Sequence, residues 1–85
     1  MNSIFTERAW KDYLSWQSDK KTLKKINLLL QDIQRNGIES RIGKGEVLKN
    51  QMGYSKRIDE RNRLVYTFDK DGNVVIISCK GHYKE

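Results

Sequence analysis

One histidine occurs in the 85 residues: His82, near the C-terminus in "VVIISCKGHYKE". One carboxylate, Glu46, lies in a stretch that otherwise carries Arg41, Lys44, Lys49, Lys56 and Arg57. A further cation, Arg63, opens the segment "RLVYTF". A carboxylate, a guanidinium and an imidazole are the groups that metal-free RNA cleavage requires. The base removes a proton from a ribose 2′-OH, which attacks the neighbouring phosphorus in line. The cation stabilises charge on the phosphoryl oxygens, and the acid protonates the leaving 5′-oxygen. Glu46 is the candidate base, Arg63 the phosphate clamp and His82 the acid. Each also has a plainer reading: Glu46 as a surface acid, and His82 as a surface or packing histidine. Residue type alone leaves both readings open.

Other chemistries find little support. One His and one Cys offer no zinc-ligand spacing, and "DKDGN" lacks the remaining ligands of a calcium loop. Neither G-x-x-x-x-G-K-[ST] nor G-x-G-x-x-G is present. No metal or cofactor is therefore expected. Cys79, the lone cysteine, has no internal partner for a disulfide, which fits a reducing compartment. Its place in "VVIISC" favours a buried structural thiol over a reactive one.

The elements that must position these groups follow from periodicity. "NSIF" is a short strand, and Thr6 is an N-cap with Glu7 in the first turn of a helix. Trp10, Tyr13, Leu14 and Gln17 recur at helical spacing, with Trp16 beside them; core packing is favoured there over a base-stacking platform. Asp19 or Ser18 caps a second helix whose apolar stripe is Leu23, Ile26, Leu30 and Ile33. Gly37 ends it. "IESRIGKGEVLKNQMG" reads as an irregular connection. The strands "YSKRI", "RLVYTF" and "VVIISC" follow, the last two joined by the Asp-Gly turn in "DKDGN". Alternation sends Leu64, Tyr66 and Phe68 to one face and Arg63, Val65 and Thr67 to the other. The expected fold is one α+β domain over residues 1–85, with two helices on one face of a small, mostly antiparallel sheet. Arg63 and Arg57 then share the open face.

The 17 Lys and Arg against 11 Asp and Glu give a formal charge of +6, which implies an anionic partner. No segment approaches a membrane span, and "MNSIFTERAW" lacks a signal peptide's apolar run; a cytoplasmic protein without membrane contact is expected. Two other function classes fit the charge. One is an inert basic module that binds RNA through phosphate contacts. The other is a DNA-binding co-repressor, for which no recognition helix is apparent.

Taken together, "WKDYLSWQ", "KKINLLLQDIQRNGIE", "GKGEVLK", "RIDERNRLVYTF" and the terminal "HY" resemble the YoeB/Txe group of RelE-type bacterial toxins over nearly the whole chain. The resemblance implies a ribosome-dependent mRNA endonuclease of a type II toxin–antitoxin system, silenced by an acidic antitoxin of the YefM/Axe type. It implies contact with ribosome and mRNA, and with operator DNA only indirectly through the antitoxin complex; it leaves monomer and homodimer open. By the same likeness, "GKGEVLK" places the base at Glu46, with Lys49 adjacent; Lys44 and Lys80 are further RNA-binding candidates. "RIDERNRLVY" supplies Arg57 and Arg63, and "GHY" supplies His82 and Tyr83. Tyr83 would stack on or orient the scissile nucleotide. The chain departs from such toxins in extending past His-Tyr by Lys84 and Glu85, in lacking a proline beside Glu46, and in a slightly shorter "NQMGYSKRI".

Cations around Glu46 lower a carboxylate from about 4.3, and those near His82 lower an imidazole from about 6.5. Both shifts oppose the proposed roles in the free protein. Surrounding RNA phosphates would reverse them, so ribosome dependence is expected to be partly electrostatic.

Overall fold

The computed structural model describes residues 1–37, 45–47 and 53–81, giving for 45–47 the strand pairing alone. Its order is β1 (Ser3–Phe5), α1 (Glu7–Ser15), α2 (Lys20–Asn36), β2 (Gly45–Val47), β3 (Tyr54–Arg57), β4 (Arg63–Phe68) and β5 (Val74–Ser78). The strands form one sheet in the order β1-β5-β4-β3-β2, parallel between β1 and β5 and antiparallel elsewhere. The expected α+β arrangement is present with one additional strand: β2 lies inside the segment read as an irregular connection. Three residues, the first of them a glycine, are too few to display an alternating pattern.

Local chemistry explains the boundaries. Thr6 caps α1 by accepting from the Ala9 amide at 3.1 Å. Its hydroxyl also donates to the Ile77 carbonyl at 3.0 Å, so one side chain starts the helix and ties it to β5. Asp19 caps α2 through the Thr22 amide and hydroxyl, at 3.1 and 2.8 Å. Gly37 closes α2 at φ +58, a conformation that disfavours any side chain. The turn after β4 is held by Asp69, whose Oδ1 accepts from the Asp71 and Asn73 amides.

Both helices contribute to a core on one face of the sheet: Ala9, Ile26, Leu29 and Ile33 meet Leu64, Tyr66, Val74 and Ile76. Leu29 is a core residue that the stripe did not include, whereas Leu23 is only half-buried. Trp10 and Leu14, read as packing residues, are about half exposed, at 49% and 48%. Tyr13 and Trp16 do pack against the core. Two charged groups are also buried here. Lys56 faces α2 from β3, and its Nζ meets Asp32 Oδ2 at 3.2 Å.

A β-bulge interrupts the β4–β5 pairing. Tyr66 is opposite Ile76, but Val65 is opposite Ser78, so Ile77 is the extra residue. The insertion reverses the alternation. Cys79 therefore occupies a core position after an already buried Ser78.

Candidate active site

The open face is built from β3 and β4. Their register sets Arg57 directly opposite Arg63 and Ser55 opposite Val65. The Arg63 side chain does not project at random: its Nε donates to Ser55 Oγ at 2.9 Å. Ser55 is almost fully buried at 1% exposure, so this acceptor is fixed. Two like charges in directly opposed positions repel, typically by a fraction of a kcal/mol to about 1 kcal/mol. An anion bound between them relieves that cost, and a guanidinium suits a phosphate because its donors form a planar fork.

On the other side of β3, β2 places Glu46 opposite Ser55. The candidate base thus has its backbone position beside the serine whose hydroxyl holds the candidate clamp's side chain. The Glu46 side chain, Lys44, Lys49, His82 and Tyr83 lie outside the described residues, as do Lys84 and Glu85.

The approach to His82 is described up to Gly81. The Gly81 amide donates to Asn62 Oδ1 at 2.8 Å, and its carbonyl accepts from the Arg63 amide at 3.0 Å. Residues 62 and 63 therefore hold both backbone groups of Gly81. On the core side, the Cys79 amide donates to Asp12 Oδ2 at 3.1 Å, and the Trp16 indole donates to the Cys79 carbonyl at 2.9 Å. Burial, and secondarily the nearby Asp12 charge, pushes the Cys79 thiol up to about 12. That is the inert buried thiol expected from "VVIISC".

Lys80 takes a different direction from Arg63. Its Nζ sits 5.5 Å from the Trp16 ring centroid and 3.4 Å from Ser15 Oγ, against the end of α1. Ser55 and Asn62 were not among the expected site residues. Ser55 was detectable in principle, because it shares the alternation of Arg57. Asn62 had no comparable signal, since a loop asparagine has many uses. Among the described residues, no group of three or more His, Cys, Asp or Glu side chains gathers as metal ligands.

Two helices on one face of this mixed sheet give the α+β fold of the RelE-like toxins. The chain belongs to the YoeB-like toxins of bacterial type II toxin–antitoxin systems, whose family model matches residues 5–83. Toxin YoeB of Synechocystis sp. is 51% identical over 87 residues, covering 99% of each chain. The YoeB dimer of Staphylococcus aureus superimposes with a TM-score of 0.87 at 50% identity, covering 98% of each chain. YoeB in the heterotetrameric YoeB–YefM complex of the same organism gives 0.86 at 49% identity, again with 98% coverage of each chain.

Proposed function

We propose that this protein is a ribosome-dependent mRNA endonuclease that cleaves message in the A site without a metal ion. Glu46 takes the 2′-OH proton, Arg63 and Arg57 stabilise the phosphoryl oxygens, and His82 protonates the departing 5′-oxygen. The ends formed are a 2′,3′-cyclic phosphate and a 5′-hydroxyl. Tyr83 orients the nucleotide, while Lys44 and Lys49 contact RNA phosphates; Lys80, held at Trp16 and Ser15, is set apart from the arginine pair. The observation that supports this reading best is the Arg63 environment. One residue is oriented by Ser55, lies opposite Arg57, and bonds through its amide to the glycine preceding His82.

The YoeB–YefM complex of Staphylococcus aureus supports an antitoxin of the YefM type as the partner here; an acidic, silencing antitoxin that alone brings the toxin to operator DNA is what the family resemblance implies. The dimer from the same organism supports self-association of the toxin. Action on translating ribosomes places the protein in the cytoplasm. A net charge of +6 suits binding to ribosomal RNA.

Translation-coupled cleavage, with the cut positions and end chemistry mapped, tests the proposal. His82→Ala and Glu46→Gln should each lower the rate by about a hundred- to ten-thousandfold. Arg63→Ala should cost about a hundred- to a thousandfold. Variants that cleave like wild type would remove these assignments. Translation arrested by wild type with intact message would instead identify a basic module that blocks the A site.

A further inference from the structure

We propose that Asn62, oriented by Asp59, is a positioning residue that latches the C-terminal segment beside Arg63 by holding Gly81. This role rests on the nuclease reading, because the residue that follows Gly81 is His82.

Three observations carry the inference. First, the latch lies beyond the β4–β5 pairing. Paired residues of β4 and β5 end at Val65 and Ser78, yet the Asn62 and Arg63 contacts capture Gly81 further along the chain. Gly81 has φ +87, so the backbone turns sharply where it is held, in a region that favours glycine. Second, the orientation of the Asn62 amide is not arbitrary. Its Nδ2 donates to both Asp59 oxygens, at 3.0 and 3.1 Å, which leaves Oδ1 to accept from Gly81. Asp59 is itself fixed by the Arg61 and Asn62 amides, each 2.8 Å from Oδ1. Third, turn formation accounts for only part of the network. An aspartate bonded to following amides closes the β3–β4 connection by itself. It does not require the asparagine oxygen to reach across to residue 81.

Asp59 and Gly81 are exposed and Asn62 is half-buried, so the clasp contributes little to the core. Its evident consequence is geometric. It defines where the chain departs for His82, relative to the guanidinium that receives the phosphate. General-acid catalysis is sensitive to that relation, since misplacement by about 1 Å costs on the order of a hundredfold.

Asn62→Ala in the full chain tests this on programmed ribosomes. At saturating ribosome the single-turnover cleavage rate should fall by about ten- to a hundredfold. The ribosome concentration giving half-maximal rate and the unfolding temperature should stay near wild type, and the Gly81 amide should exchange faster with solvent. The swap Asp59→Asn/Asn62→Asp preserves net charge and can remake the side-chain bond between the two positions with donor and acceptor exchanged, while each position keeps an oxygen to accept from the same backbone amides; it should recover most of the rate. In a His82→Ala background, Asn62→Ala should cause little further loss. An unchanged rate in Asn62→Ala, or an equal fold-loss with and without His82, would overturn the latch while leaving the nuclease reading intact. A wild-type protein that cleaves nothing overturns both, and that is seen before any variant is made.

Discussion

Ser55 has one hydroxyl, almost no solvent exposure, and an arginine to hold. Arginine side chains in water sample many rotamers, and ordering one for each phosphate encounter costs free energy that a fixed acceptor has already offset. Ser55→Ala should therefore lower cleavage by roughly tenfold while changing unfolding free energy by only about 1 kcal/mol, the usual net value of one hydrogen bond. Single-turnover kinetics alongside urea unfolding would check it. Equal cleavage by Ser55→Ala would mean that Arg63 is held by its other contacts. The same logic separates Arg63 from Lys80, whose ammonium is engaged by Trp16 and Ser15 on α1.

Strand β3 must present Ser55 and Arg57 outward, and a slip of one residue would turn both into the core. The buried pair between Lys56 and Asp32 opposes such a slip. Lys56 Nζ meets Asp32 Oδ2 on α2, and Asn36 supports the same carboxylate at 2.8 Å. Lys56→Met should cost about 3–5 kcal/mol, because it leaves a buried carboxylate without its ammonium. The double variant Lys56→Met/Asp32→Leu should return close to wild-type stability, since apolar packing replaces both desolvated charges. Denaturant unfolding of the three proteins gives the comparison. A single variant as stable as wild type would show that Asp32 is satisfied without Lys56.

The folded chain also carries a pH signature. Thr22 hydrogen bonds hold Asp19 below the usual carboxylate range, and the Asn73 and Asp71 amides do the same for Asp69. At Asp59 burial acts upward, but bonds from Arg61 and Asn62 outweigh it and the carboxyl is lowered. Each group is deprotonated more readily when folded. Its contribution is therefore present above pH 3.8, the ordinary aspartate value, and is lost as pH falls through the lower folded values. Cys79 acts at the other end. Its thiol stays protonated in the fold up to about 12, against 9.0 when unfolded, so stability declines as pH rises past 9.0. Urea midpoints should fall below pH 3.8 and above pH 9.0, and Cys79→Ala should flatten the alkaline decline. An alkaline limb unchanged in Cys79→Ala would assign that decline to other groups.

Helix caps at Thr6 and Asp19, the stop at Gly37, strand β4 and the Asp-Gly turn were legible in the residues. Each rests on interactions within a few positions of the chain. So was the outward face of Arg57 and Arg63, because strand alternation has a period of two. Short β2 was hidden by its length, and Leu29 by a stripe drawn one position away. The salt bridge between Lys56 and Asp32, the bulge at Ile77, the Ser55–Arg63 bond and the Asn62–Gly81 contact were not readable from local pattern. Each joins residues whose meeting depends on strand register or on helix-to-sheet packing, and pairings across separate segments leave no local periodicity to read.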